Sequence, residues 1–392
     1  MPWCEVSVMD QRLEFVRLAL QDGANRRELC RRFGISPDVG YKWLARHVGG
    51  DAELADRSRR PHASPRRSAA AIEGQVLAIR DAHPAWGARK IVHCLSRDGL
   101  VPPAASTVHA ILQRHGRIIV PPNGPGQPFT RFEKDTPNAL WQMDFKGHIP
   151  LADGTPCHPL TMIDDHSRYA LRLAACSNQQ RMTVQEQLTQ TFRRYGLPDA
   201  LFVDNGPPWG DSSQSRWTGL RVWLLKLGVE VIYARPLHPQ SRGKNERFHR
   251  ALKAEVLAVR RFNGFTELQR AFDTWRSVYN LERPHEALGM AVPASRYRPS
   301  LRSMPERLAD IVYAPGDIVR SVSTQRGASI SFKGQPWRVP RAFRGEHLAI
   351  RPSGIDGQYG VFFGSRQVAT IDLTRRKSVS HVSEQVSAMS PG

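Results

Sequence analysis

Between residues 137 and 300 the hydrophobic pattern changes period in a set order, and that order restricts the fold more than any other feature of the chain. Residues 141–146, 160–164 and 169–175 read as three strands, the last two joined by a His166-Ser167-Arg168 turn. Residues 183–195 then carry apolar Val184, Leu188 and Phe192 at helical spacing. Residues 201–203 read as a short buried strand, 217–227 as a helix and 229–234 as a strand, and Gly243 precedes a long helix to about Val259. Sequential strands pair antiparallel through short turns, whereas strands separated by helices pair parallel through crossovers. The expected sheet is therefore mixed, which excludes a doubly wound fold and matches the order of a ribonuclease-H-like α/β core.

The flanks have other periods. Residues 14–20 form an apolar-rich helix, and Asn25 with Glu28 caps a second helix that runs to Phe33. Gly34 marks the turn, and Ser36 with Pro37 starts a third helix to about His47. Val39 and Trp43 are expected to face its core, with Asp38, Lys42 and Arg46 on the outer face. This pattern over 12–48 fits a helix-turn-helix, or else a plain three-helix packing unit. Residues 49–68 are a linker in which Arg59 and Arg60 are available to phosphate. A second helical unit over 69–120 has helices at 72–82 and 88–95 and an apolar face at Val108, Ile111 and Leu112, ended by Gly116. It reads as a second helix-turn-helix. A Pro- and Gly-rich linker spans 121–136, the α/β core 137–300, and an Arg- and Pro-rich loop 280–294. Beyond 310 only short strands remain, separated by Pro315-Gly316, Lys333-Gly334 and Asp356-Gly357, which suggests a small β-barrel over 310–373 and a polar, disordered tail over 374–392.

Charge narrows the partner. The 392 residues carry a formal charge of +20, distributed as +7, +7 and +6 over residues 1–120, 121–300 and 301–392. An excess spread over several domains suits a phosphate-binding surface, although a generally Arg-rich chain would share it. No apolar run approaches the roughly 18 residues of a membrane span. The first ten residues lack a signal-peptide pattern, and the five cysteines are scattered with no C-x-x-C. The expectation is a soluble, cytoplasmic, DNA-binding protein.

Three acids stand in settings of their own. Asp144 lies inside the first strand, on the face of Gln142 and opposite Met143 and Phe145, where a carboxylate is costly unless it holds a cation or proton. Asp204 ends a buried strand just before the sharp turn Asn205-Gly206. Glu246 sits in the first turn of the long helix, with Arg250 and Lys253 further along the same face. Hard oxygen donors from separate elements suit magnesium, and two such ions suit phosphodiester chemistry. Singly, each acid reads as readily as a cap or surface carboxylate; it is their joint order that is informative.

Those residues also carry a resemblance. Trp141-Gln142-Met143-Asp144-Phe145, Asp164-Asp165-His166-Ser167-Arg168, Val203-Asp204-Asn205-Gly206, His238-Pro239-Gln240 and Gly243-Lys244-Asn245-Glu246-Arg247-Phe248-His249 together resemble a bacterial insertion-sequence transposase of the DDE, retroviral-integrase-like superfamily. Tyr279-Asn280 and Arg283-Pro284-His285-Glu286-Ala287-Leu288-Gly289 extend the likeness. The resemblance implies that Asp144, Asp204 and Glu246 bind two Mg2+ ions, or Mn2+. It also implies cleavage at the ends of an element and transfer of the freed 3′-hydroxyl to target DNA by direct transesterification. Lys253 takes the place of the family's basic residue beside the glutamate; Lys244, Arg250, Lys42, Arg46, Arg59 and Arg60 are the further expected DNA contacts. Partners would be double-stranded DNA, both element ends and target, and further copies of the chain, at least a dimer on DNA. The nucleoid of a bacterial cytoplasm is the expected location.

Two departures accompany it. Asp204 and Glu246 are separated by 41 residues, somewhat more than the family spacing, with the excess assigned to the loop 207–215. Glu230 and Glu255 are the rival third acids, the first on an expected strand and the second without an adjoining motif. The zinc module of retroviral integrases is absent, and His238, His249 and His285 read as structural or backbone-contacting. Asp164 and Asp165 are open between a metal role and hydrogen bonding around Ser167 and Arg168. A DNA-binding regulator without chemistry and a hydrolytic nuclease remain the alternative functions.

Overall fold

The computed structural model describes residues 7–51, 54–56, 67–118, 133–210, 216–234, 243–325, 327–374 and 377–380. Arg59, Arg60, the Pro- and Gly-rich stretch to residue 132, the end of the loop after Asp204, His238-Pro239-Gln240 and residues 381–392 lie outside them. The chain divides into two units, Met1–Arg67 and Ser68–Gly392.

In the first unit, α1 (Val8–Ala19), α2 (Arg26–Arg32) and α3 (Pro37–Val48) enclose Phe15, Val16, Cys30, Trp43 and Leu44. Asn25 accepts from the Glu28 amide at 3.1 Å, but the Glu28 carboxylate turns to Arg31 at 2.7 Å, so only half of a capping box forms. Ser36 caps α3 as expected, accepting from the Val39 amide at 3.4 Å. Val39, expected in the core, is 38% exposed. The buried stripe of α3 is Gly40, Trp43 and Leu44, which turns Val39 outward. Gly40 sets that phase: a Cβ there would stand 2.5 Å from Cys30 Sγ and 2.8 Å from the Phe15 ring, so only glycine lets α3 approach α1 and α2 this closely.

The second unit begins with α4 (Ala70–Ala82), α5 (Ala88–Arg97) and α6 (Ala105–Arg114), packed around Val76, Ile91, Leu95, Val108 and Ile111. The buried Glu73 carboxylate ties α4 to the end of α6, accepting from Arg114 at 2.6 Å and facing His115 Nε2 at 3.0 Å.

The mixed sheet follows. It contains β1 (Trp141–Phe145), β2 (Ile149–Pro150), β3 (Pro156–Asp164), β4 (Ala170–Cys176), β5 (Ala200–Val203) and β6 (Glu230–Tyr233). β3 pairs antiparallel with β1, β2 and β4, while β1, β5 and β6 run parallel. One face, with Trp141, Met143, Met162 and Val203, is covered by α7 (Arg181–Tyr195) and α8 (Gly219–Lys226). The other, with Ile163 and Leu173, is covered by α9 (Gly243–Leu252) and α10 (Phe265–Leu281). The α10 helix is absent from the sequence reading. Its signal is Leu268, Phe272, Trp275 and Tyr279, all buried at helical spacing. Next to them, Asn280 is hydrogen-bonded through its carboxamide to the amide and carbonyl of Ala170, at 2.8 and 3.0 Å.

The C-terminal strands do not close into the expected barrel. Strands β7 (Ile318–Ser321), β10 (His347–Pro352), β11 (Gln358–Phe363), β12 (Arg366–Asp372) and β13 (Lys377–Ser380) form an open five-stranded sheet. A separate hairpin, β8 (Ser329–Phe332) with β9 (Gln335–Arg338), covers it. Ile330, Phe332 and Trp337 of the hairpin share one core with Leu348, Ile350 and Val361 of the sheet, so the apolar faces are buried by side-chain packing without a closed ladder among the described residues. The tail assigned to disorder also begins too early, because residues 377–380 pair with the free edge of β12. This module rests on α8: Trp217 meets Phe343 at a ring separation of 5.0 Å, and Lys226 bridges Glu346 at 2.7 Å. Among the described residues, no helix is long and apolar enough to cross a membrane.

Candidate active site

The register of β1 against β5 brings the first two acids together. Trp141 pairs with Leu201 and Gln142 with Phe202, so the same offset carried two residues further sets Asp144 opposite Asp204 at the carboxyl ends of neighbouring parallel strands. Strands in a sheet lie about 4.8 Å apart, and paired residues point to the same side. That side is opposite Trp141, Met143, Leu201 and Val203, which are buried beneath α7 and α8. Asp144 and Asp204 therefore emerge on the face that α9 covers.

Two anchors hold α9 on that face. Thr161, the β3 partner of Asp144, donates its hydroxyl to the Asp144 carbonyl at 2.9 Å and faces His249 Nε2 at 2.9 Å. With the single hydroxyl proton given to Asp144, His249 must be the donor in the second bond. Burial, reinforced by Lys146, pulls the His249 pKa down to about 4 and keeps the ring neutral. At the start of the helix, Lys244 pairs with the fully buried Asp165 carboxylate and reaches the Asp165 carbonyl at 3.2 Å. Burial lowers Lys244 to about 8 against the pull of Asp165. Glu246 lies between these anchors. It is exposed and makes no ion pair among the described residues.

The remaining candidates separate cleanly. Arg250 and Lys253 are exposed on α9 and at the π-helical turn (Lys253–Leu257) that follows it, and Lys42 is exposed on α3. Lys244, one of the expected DNA contacts, pairs with Asp165, with only 15% of its side chain exposed. Arg46 is likewise committed: it pairs with Asp51, donates to the Ala55 carbonyl at 2.7 Å and stacks over Trp43. Both rival glutamates are occupied. Glu230 pairs with Arg366, and Glu255 takes Trp275 Nε1 at 2.5 Å and Arg283 at 2.8 Å.

Asp164 and Asp165 are hydrogen-bonding residues. Asp164 accepts from the Asn138 and Ser167 amides, each at 2.7 Å, and from the Ser167 hydroxyl at 2.6 Å; burial nevertheless raises its pKa. Asp165 accepts from the Lys134 amide at 2.8 Å and from Gln142 Nε2 at 2.7 Å, besides Lys244. The Thr161–His249 bridge is not evident from the sequence. Its only trace was strand alternation, which puts Thr161 on the same face as Ile163.

The donor set fits a hard divalent cation in kind: Asp144, Asp204 and Glu246 offer carboxylate oxygens only, and the imidazole one turn on, His249, is spent on Thr161. Among the described residues, however, no group of three or more His, Cys, Asp or Glu side chains is gathered closely enough to hold a metal, so the three acids do not form a ready cluster.

His249 makes the fold acid-sensitive. Its folded pKa lies below the ordinary value of 6.5, so the unfolded chain takes up the proton first. Its contribution is complete above pH 6.5 and is lost as pH falls toward 4. His285, pushed down to about 2 by burial, acts in the same direction. His249→Gln should flatten the fall in Tm between pH 6.5 and 4; an unchanged slope would contradict the neutral, donating ring.

Family models match several stretches of the chain. Integrase core domain models match residues 134–239 and 227–293, and the IS481 family transposase C-terminal domain matches 317–379. A helix-turn-helix domain matches 11–62 and a homeodomain-like domain 39–112. The uncharacterized 39.2 kDa protein of insertion element IS476 from Xanthomonas euvesicatoria is 29% identical over 158 residues, 40% of this chain and 44% of the relative. The uncharacterized 31.7 kDa protein of insertion element IS407 from Burkholderia multivorans is 26% identical over 161 residues, 40% of this chain and 54% of the relative. The chain thus spans about half the length of the curated relatives it matches. A chain of the simian T-cell lymphotropic virus intasome is similar at 14% identity and a TM-score of 0.35, covering 74% of this chain and 97% of that one. Integrase-core, transposase and helix-turn-helix matches follow one another along the sequence, and together with the insertion-element relatives they support a bacterial insertion-sequence transposase of the DDE, retroviral-integrase-like superfamily.

Proposed function

We propose that the chain is a DNA transposase that binds the ends of its element and performs metal-dependent strand cleavage and strand transfer. The observation that carries this reading is the parallel pairing of β1 with β5, Trp141 with Leu201 and Gln142 with Phe202, which carried two residues further would set Asp144 beside Asp204. These three carboxylates would hold two divalent cations, Mg2+ or Mn2+, which supply charge neutralisation at the scissile phosphate and activation of the attacking hydroxyl. The protein's own part is positional. The parallel strands would hold the two aspartates side by side, α9 would carry the glutamate toward them, and exposed Arg250 on α9 and Lys253 on the turn after it would bind the DNA backbone.

The helix-turn-helix units would read the terminal repeats, with Lys42 on phosphate, and the basic C-terminal sheet would add further DNA contact. Pairing two ends requires at least a dimer on DNA, in the bacterial cytoplasm at the nucleoid. The test incubates the full chain with labelled terminal DNA, a supercoiled plasmid and Mg2+. Labelled ends joined to plasmid are expected. Cleaved but never joined ends would make the chain a hydrolytic nuclease, and binding without cleavage a DNA-binding regulator; either result overturns the proposal.

A further inference from the structure

We propose that Asp165 and Lys244 are positioning residues whose buried ion pair fixes the first turn of α9, so that the Glu246 carboxylate is presented toward Asp144 and Asp204. This rests on the reading of those three acids as metal ligands and deepens it.

Asp165 joins three parts of the chain. Its side chain is fully buried just beyond the end of β3, and its donors come from three separate places. The Lys134 amide bonds it from the segment before β1, Gln142 Nε2 from β1 itself, and Lys244 Nζ from the first turn of α9. Gln142 lies two residues before Asp144 on the same strand face, and Lys244 lies two residues before Glu246 on the helix. One carboxylate thereby links the strand that carries one proposed ligand to the helix that carries another. With a carboxylate offering about four lone-pair sites, these donors leave Asp165 little capacity for a cation of its own.

Glu246 has no such fixing contact. It is exposed and without an ion pair among the described residues, so its placement depends on the backbone of α9. The second anchor, His249 on Thr161, holds the far side of the same turn and shares the Thr161 hydroxyl with the Asp144 carbonyl. A buried ion pair adds little to stability relative to well-packed apolar residues, but it admits far fewer arrangements. That property suits a helix whose register must be unique.

The test titrates the full-length chain with Mn2+ alone, reading affinity by calorimetry and the protection of the α9 amides by hydrogen exchange. Lys244→Gln and Asp165→Asn should each weaken Mn2+ binding by about 10- to 100-fold, the usual effect of removing a partner that orients a metal ligand. Both should speed exchange in the first turn of α9 and leave α10 unchanged. Ile371→Ala, in the distant C-terminal sheet, should lower Tm and leave Mn2+ affinity at the wild-type value. If Lys244→Gln does not fold, Gln142→Leu, which removes one donor, carries the same test with a smaller loss.

Wild-type Mn2+ affinity and exchange in the folded variants would overturn the positioning role, as would an equal loss of affinity in Ile371→Ala. Asp144→Asn and Glu246→Gln in the same titration separate the two levels. If they abolish binding while Lys244→Gln does not, only the positioning role fails. If they leave binding intact, the ligand assignment fails and the positioning role with it.

Discussion

Asp144→Asn is expected to reduce strand transfer at least ~10³-fold, more than the ~10–100-fold typical of losing a residue that merely orients a metal ligand. Asn preserves the size of the side chain and one carbonyl oxygen but removes the charge that a divalent cation requires. Asp204→Asn should behave alike, because the β1–β5 register extended by two residues would make the two positions neighbours. Stability should change little, by about 0.5 kcal/mol or less, since both aspartates are only partly buried and replacing one lowers the negative charge on the face. DNA binding by the helix-turn-helix units should persist. Circular dichroism and gel-shift measurements beside the strand-transfer assay would check all three points. A variant that loses DNA binding or Tm together with activity would place Asp144 in the scaffold instead.

Glu255→Ala should do the reverse. Glu255 is turned away from solvent: its carboxylate accepts from Trp275 Nε1 at 2.5 Å and Arg283 at 2.8 Å, and the Glu255 and Arg283 side chains are 6% and 9% exposed. Removing the acid leaves the Arg283 guanidinium buried without its partner, which typically costs about 3–5 kcal/mol. Urea denaturation should show that loss, while the protein that remains folded should retain strand-transfer activity per folded molecule. Glu246→Gln is expected to give the opposite pair of results, with normal stability and no transfer. The two glutamates stand nine residues apart on one continuous helical segment, so this contrast tests directly which of them belongs to the chemistry. Stability unaffected by Glu255→Ala would contradict the structural role of the ion pair.

The mixed order of the sheet was legible because strand alternation and helical spacing are local properties. The 141–146 and 201–203 strands and the Thr183–Tyr195 helix emerge close to where sequence periodicity puts them. Alternation also correctly paired Gln142 with Asp144 on one face. The fate of a charged side chain was not legible. Lys244 and Arg46 look from the sequence like DNA contacts, yet each is taken by a carboxylate, Asp165 and Asp51 respectively, at a position that only the folded chain defines. Val39 was misplaced because helix phase in α3 is set by Gly40, whose missing side chain leaves no hydrophobic signal. Barrel closure failed for a similar reason. Short strands and turn pairs announce a β-module, but whether the ladder closes depends on main-chain pairing between strands far apart in the sequence. The β12 edge instead pairs with Lys377–Ser380.

Asp144, Asp204 and Glu246 are proposed to form one divalent-metal site. Iron-mediated self-cleavage tests it most directly: Fe2+ replaces Mg2+ on the full-length chain, ascorbate and peroxide generate radicals at the bound ion, and mass spectrometry maps the backbone cuts. The predicted result is three groups of cuts, around residues 144, 204 and 246, all lost together in Asp144→Asn. Cuts confined to one of those segments, or a pattern unchanged by Asp144→Asn, would contradict a shared site.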